Sequence, residues 1–375
     1  MAKEFAARRR RRGAGEKLRD RFTGTGNNVT PRSVVTPWLK FAVPALTLAV
    51  TFSLFEAGFR LADAMTTRAR SETWALYDPD LGYRPNPGVA DANAFGLRDH
   101  PVTPKAGRFR ILMLGDSVGY YGDTVDDTWV GRLRQELNRS VGPANLDVLN
   151  ASVRGYTNYQ ELLFLKKYGL ALEPDLVGFG FVLNDLHRIL HTFKIKDGRI
   201  IGEAYDFTPE AVKSVDSLVF RLARQSRFLV WLRRAIDPAI SRVQYQFGRG
   251  FSFDYRPDMN TAWKDASWLT VKSQMEEAQA LGRQHGFRLF MSIFPFADQY
   301  RATYLATDRE YTLKPQRLAG ELCRQLHLEC LDLYPALDAT LFDPDGIHLT
   351  AKGRQRVAEE VNSFLVNRRL IPRSD

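Results

Sequence analysis

The chain has 375 residues and a formal net charge of +10. Eleven of its 53 basic and three of its 43 acidic residues fall within residues 1–40, a net of +8, so the other 335 residues hold 42 basic against 40 acidic groups. A near-neutral body excludes a nucleic-acid-binding domain, which needs a basic face on its folded part, and 44% apolar with 26% charged residues excludes wholesale disorder and a multi-span membrane protein.

In chain order, residues 1–36 form a Gly/Arg/Asn-rich arm with the run Arg8 to Arg12 and few large apolar side chains, a composition expected to be disordered. From Phe41 to Phe55 the sequence FAVPALTLAVTFSLF carries no charge. Thr36 suits an N-cap and Pro37 the first helical position, where a missing N–H costs nothing. A helix over 37–60 is long enough to cross a bilayer, and Lys40 near its start can snorkel. Two readings compete. A cleaved signal would use Ala62-Asp63-Ala64 as a loose small-x-small site, but Glu56 and Arg60 intervene. A buried soluble helix is the other, because the uncharged run is short. The anchor is preferred. With the basic arm on one side only, the positive-inside rule keeps the arm cytoplasmic and sends the body across; the same charges can meet anionic lipid.

Residues 61–105 read as an irregular connector, with turn chemistry at Asp78-Pro79-Asp80, Pro85-Asn86-Pro87 and Asn93-Ala94-Phe95-Gly96. Over 106–367 strands and helices alternate. Apolar runs predict strands at 109–114, 146–149, 176–183, 288–294 and 327–333, and amphipathic segments predict helices at 128–139, 159–168, 263–285, 314–326 and 350–367. That alternation predicts an α/β fold, a three-layer α/β/α sandwich around a parallel sheet of about five strands, with its site at the carboxyl ends of the strands. An insertion occupies about 187–260. Its segment 217–236 is a basic amphipathic helix carrying Arg221, Arg224, Arg227, Arg233 and Arg234, which reads as a lid with a solvated face or, less commonly for such a pattern, as a membrane-surface helix. Two cysteines, Cys323 and Cys330, exclude a disulfide scaffold and a four-Cys zinc site. Two small buried hydrophobes is the commoner fate of such residues, and pairing is the alternative in an oxidising compartment.

Four places carry chemistry. The first strand ends in Gly115-Asp116-Ser117, a serine where an α/β sheet presents reactive groups. Asp345-Gly346-Ile347-His348 stands just before the last helix, so one turn can deliver a base and the carboxylate that fixes its tautomer. Gly155 follows the second strand, where a glycine lets a backbone N–H approach an anion. Asn184 ends the third, where its amide can donate to the same point. Each has a bland reading alone: a helix cap, a turn acid, a surface imidazole. Together and in this order they predict a catalytic triad of Ser117, His348 and Asp345 with an oxyanion hole from Ser117, Gly155 and Asn184. His187 and His191, with Asp185 nearby, have metal-ligand spacing if the segment is helical, but no third strong ligand follows, so no metal and no cofactor is expected.

These blocks make the chain resemble the SGNH hydrolases, also called GDSL-type esterases, over about residues 106–367. The stretches YDPDLGYRPNPG, NAFGLRDH and GDTVDDTW resemble the bacterial membrane-anchored branch. The resemblance implies Ser117 as nucleophile, Gly155 and Asn184 as oxyanion donors, and Asp345 with His348 completing the triad. Val118 stands where a Leu or Phe is usual, and Val182 where a Gly is usual; neither supplies a catalytic atom. Gly115-x-Ser117-x-Gly119 also satisfies the α/β-hydrolase pattern, which is rejected because that fold places its nucleophile after several strands and its acid well upstream of its histidine.

The expected function is a serine esterase removing O-acyl, chiefly O-acetyl, groups from cell-envelope or exported polysaccharide. The expected location is the bacterial inner membrane, with the hydrolase in the periplasm. An O-acetyltransferase that hands the acyl group to a glycan is the leading alternative, and a catalytically silent glycan-binding scaffold the third reading.

Overall fold

The computed structural model describes residues 39–69, 74–141, 146–189, 191–196, 199–205, 226, 228, 229, 231, 232, 250–254, 256 and 259–372. The basic arm and most of segment 217–236 lie outside the described residues. Two compact units emerge, 1–54 and 55–375.

The first unit holds the start of helix α1 (Leu39–Ala69). Over Lys40–Ala62 this helix has a mean hydropathy of 1.5 and no buried residue, so it is long and apolar enough to cross a membrane. Thr47 and Ser53 donate their hydroxyls to the carbonyls of Val43 and Ala49, each at 2.8 Å. Neither therefore offers an unpaired polar group to an apolar surrounding. The helix continues past the end of its apolar run to Ala69. Good helix formers prolong it, as does the i,i+4 pair of Arg60 with Glu56 at 2.7 Å.

The second unit is a three-layer α/β/α sandwich. Strands β3 (Phe109–Gly115), β4 (Leu146–Ser152), β5 (Leu176–Val182), β8 (Arg288–Phe294) and β9 (Glu329–Asp332) form one parallel sheet in the order β4-β3-β5-β8-β9. Central β5, LVGFGFV, is buried along its whole length, as a strand covered on both faces must be. Helix α3 (Trp129–Ser140) packs with α7 (Ala351–Asn367) on one face. On the other, α5 (Asp265–His285) packs with both α4 (Asn158–Lys167) and α6 (Lys314–Leu326). Each helix starts or stops where its chemistry dictates. Thr128 caps α3 through the Gly131 N–H at 2.9 Å and Thr350 caps α7 through the Gly353 N–H at 3.2 Å. Val357, Val361, Phe364 and Leu365 line the buried stripe of α7.

Two small hairpins decorate this core. In the insertion, β6 (His191–Lys196) pairs antiparallel with β7 (Arg199–Tyr205). In the segment expected to be irregular, β1 (Ala75–Asp78) pairs antiparallel with β2 (Gly82–Pro85). Asp78 closes that turn by accepting the N–H groups of Asp80 and Leu81, both at 3.0 Å. It also accepts from Lys167 Nζ at 2.9 Å and from the Tyr168 hydroxyl at 2.7 Å. Leu81, Tyr83 and Leu97 are fully buried, so this segment belongs to the core of the domain rather than tethering it.

Cys323 and Cys330 are bonded to each other, Cα to Cα 6.2 Å, tying the end of α6 to edge strand β9. This corrects the preferred expectation of two buried thiols. The physical reason is local: His327 takes a left-handed conformation that ends α6 and folds the chain straight back into β9.

Candidate active site

The sheet order converts three separated sequence blocks into neighbours. Gly115, at the end of β3, pairs with Ser152 of β4 on one side and with Gly180 of β5 on the other. Ser117 therefore emerges between the loop that carries Gly155 and the turn that carries Asn184. In a sheet whose strands run 2-1-3-4-5 this is the switch point, where ligand-binding loops diverge.

Ser117 opens the short helix α2 (Ser117–Tyr120), capped by Asp116, whose Oδ1 accepts the Val118 N–H at 2.8 Å. A Cβ on Gly119 would fall 2.1 Å from Ser152 Oγ, so this glycine is required by the close packing of α2 on β4.

Asp345 and His348 arrive on the loop before α7. Gly346 has φ +76, a left-handed backbone that favours glycine. That turn lets Asp345 Oδ1 accept the N–H groups of Ile347 and His348, both at 2.9 Å. The loop is fastened to the residues after β8 by the Ala297 N–H donating to the Gly346 carbonyl at 2.9 Å. His348 Nδ1–H then donates to Asp345 Oδ2 at 2.5 Å, which leaves Nε2 to accept the Ser117 hydroxyl at 2.8 Å. The structure thus brings together Ser117, His348 and Asp345, residues 231 positions apart at the serine–histidine contact.

The electrostatics favour a protonatable imidazole. Burial pushes His348 down, but the hydrogen bond to Asp345 and the charges of Asp345, Asp116 and Asp343 outweigh it, and its pKa lies above the usual value. Burial pushes the Asp345 carboxyl up, yet the donors from His348 and the Ile347 N–H hold it well below the usual carboxylate range. Asp116, fully enclosed, is raised by burial to about 6 despite the Val118 N–H and the imidazole charge. Behind it, Glu161 and Asp185 are pushed well up by burial.

Gly155 has φ +74, a backbone that a side chain would strain. Asn184 is buried in a tight turn in which the Val182 N–H donates to Asp185 Oδ2 at 2.7 Å and the Asp185 N–H to the Val182 carbonyl at 2.8 Å. Both oxyanion candidates are thus held by fixed backbone. His187 Nε2 lies 3.2 Å from Thr261 Oγ1. The chain turns after it and enters β6 at His191, so the helical i,i+4 face that metal binding by this pair needs is not formed.

Two further contacts have no signal in the motif. The rings of Tyr121 and His348 meet in a T, centroids 4.9 Å apart. Arg154, just before Gly155, stacks on Trp74 at 4.0 Å. A tyrosine four residues after Ser117 and an arginine before Gly155 are the hints that the sequence offers. A cavity of about 370 Å³ at the other ends of β8 and β9, bordered by Arg283, Arg288, Glu329 and Arg368, is lined by none of Ser117, Gly155, Asn184, Asp345 and His348.

No family model and no curated protein sequence matches the chain. Among solved structures, the chain is similar to TesA at 16% identity and TM-score 0.40, over 70% of this chain and 99% of that one. It is also similar to a catalytic mutant of Axe2, an acetylxylan esterase from Geobacillus stearothermophilus, at 12% identity and TM-score 0.40, over 70% of this chain and 96% of that one. The acetyl xylan esterase AlAXEase is similar at 11% identity and TM-score 0.39, over 68% and 98%. What the site can do chemically follows from its own geometry.

Proposed function

We propose that the chain is a serine esterase of the SGNH type that removes O-acyl, chiefly O-acetyl, groups from cell-envelope or exported polysaccharide. The observation that carries this reading is the hydrogen-bonded series Asp345–His348–Ser117, with links of 2.5 and 2.8 Å. Ser117 Oγ attacks the ester carbonyl while its proton passes to His348 Nε2. Asp345 stays ionised, holds the tautomer and stabilises the imidazolium. The backbone N–H groups of Ser117 and Gly155 and the Asn184 amide stabilise the oxyanion, each such donor being worth roughly 3–4 kcal/mol. Collapse breaks the ester C–O bond, and the imidazolium returns its proton to the leaving sugar oxygen. Water then attacks the acyl-enzyme with His348 again as base, releasing the carboxylic acid and restoring Ser117.

The anchor reading extends this proposal. Residues 1–36 stay in the cytoplasm, 37–60 cross the inner membrane, and the hydrolase, with its insertion at about 187–260, works in the periplasm. The +8 of residues 1–40 supports that orientation, and the Cys323–Cys330 bond is of the kind that persists in an oxidising compartment.

The test is acetate release from O-acetylated xylo-oligosaccharide by the full chain in detergent. Steady release by the wild type and none by Ser117→Ala is the expected result. Acyl transfer to an added acceptor sugar in place of release would replace the esterase with a transferase.

A further inference from the structure

Two arginines meet at the ring of Tyr120, three residues after Ser117. Arg154 has its backbone pinned by the Tyr83 hydroxyl, which donates to the Arg154 carbonyl at 2.7 Å. Its guanidinium lies 4.0 Å from the centroid of the Trp74 ring and 5.3 Å from that of Tyr120. Arg98 lies 5.4 Å from the same Tyr120 ring and donates to the carbonyls of Tyr120 and Gly122 at 2.9 and 3.0 Å. Two guanidinium groups thus share one aromatic ring, and that ring closes the helical turn begun by Ser117.

Their charge is balanced only in part. Asp91, a mostly exposed carboxylate, reaches Arg98 at 4.0 Å. Among the described residues no carboxylate forms an ion pair with Arg154, and its Nε is buried without a hydrogen-bond partner. Aromatic faces attract a cation and keep it oriented, but they return only part of the hydration that a half-buried guanidinium gives up. A planar oxyanion returns the rest, because the guanidinium fork matches it in geometry and charge. A plain structural brace between the β1–β2 segment and the sheet would need the Trp74 stack but no second cation on Tyr120.

We infer that Arg154, supported by Arg98, binds an oxyanion carried by the same molecule whose ester Ser117 attacks, so that the substrates are acylated glycans bearing a carboxylate or a phosphate. This rests on the esterase reading above and narrows its substrate class.

The experiment compares acetate release by the full chain in detergent from two matched pairs: O-acetylated oligogalacturonate against the same oligosaccharide with its carboxylates methyl-esterified, and O-acetylated glucose 6-phosphate against O-acetylated glucose. The wild type is expected to prefer the anionic member of at least one pair by about tenfold or more in kcat/KM, the yield of one charge-assisted contact. The pair with the larger preference identifies the anion. Arg154→Gln is expected to lose that preference and Arg154→Lys to keep part of it. The readout is a ratio, so a general loss of activity in a variant does not disguise it. A wild type active on both members without preference overturns the inference and leaves the esterase reading standing, as does a preference unchanged in Arg154→Gln. A wild type that releases acetate from none of the four overturns the inference, and overturns the esterase reading as well only if it also releases none from O-acetylated xylo-oligosaccharide.

Discussion

The rings of Tyr121 and His348 meet in a T, with centroids 4.9 Å apart and planes at 83°. The imidazole is thereby held by Asp345 at one nitrogen, Ser117 at the other and an aromatic neighbour on its flank. Because the contact is made by the ring and not the hydroxyl, Tyr121→Phe should stay close to wild type. Tyr121→Ala frees the imidazole to leave the attack geometry and should lower kcat about tenfold, measured on a chromogenic acetyl ester.

The pH dependence follows from His348. In the proposed mechanism its neutral form is the base, and its pKa is raised by the Asp345 hydrogen bond and by the surrounding carboxylates against the lowering effect of burial. Activity should therefore be lost as pH falls through a value above the ordinary histidine range, and kcat/KM should rise with pH on its acid limb. Asp345→Asn removes the main source of the raised pKa. It should move that limb to lower pH and cut kcat by about 10³–10⁴, seen in a pH–rate profile of the two proteins.

The proposed oxyanion donors make separate predictions. Asn184→Ala should lower kcat about 10²–10³ with little change in KM. Gly155→Ala should do the same and also cost about 1–2 kcal/mol of stability, since alanine is strained at φ +74. Paired kinetics and denaturant melts separate the two effects.

Asp78 links the β1–β2 hairpin to the end of α4. Burial pushes its carboxyl up, but the Tyr168 hydroxyl, the Leu81 N–H and Lys167 outweigh that and bring it to about 2. A folded pKa below the unfolded one adds stability above about pH 4, which is lost as pH falls toward 2. Asp78→Ala should destabilise the domain by about 2–3 kcal/mol at neutral pH and flatten the fall in stability over that acid window, read from chemical denaturation at several pH values.

The sheet was legible in the sequence because its central strands are apolar runs covered on both faces, and the helices because their apolar residues recur at helical spacing. The contact of Ser117, His348 and Asp345 was legible for a different reason. Asp345 and His348 meet within one turn, so their spacing alone encodes their contact, and Ser117 ends an obvious strand. What was hidden depends on chain reversals or on three-segment contacts. The four-residue strands β1 and β2 are too short to show alternation. Trp74, Arg154 and Tyr120 come from three separate segments, and no spacing reports their stacking. The bond between Cys323 and Cys330 depends on the left-handed turn at His327, which a histidine does not advertise. The extension of α1 to Ala69 follows helix propensity after the apolar signal has ended.

That bond has its own consequence. It closes a short loop, separation 7, and should contribute about 2 kcal/mol by restricting the unfolded chain. Replacing Cys323 and Cys330 by Ala together should lower the denaturation midpoint accordingly and leave ester hydrolysis intact, because the pair lies at edge strand β9, away from Ser117.

The most direct test of the triad is covalent labelling by a fluorophosphonate, with the modified peptide located by mass spectrometry. The wild type should be labelled on Ser117, while Ser117→Ala and His348→Ala, each shown to be folded by circular dichroism, should take up none. Labelling on another residue, or undiminished labelling of His348→Ala, would contradict the assignment of Ser117 as a nucleophile activated by His348.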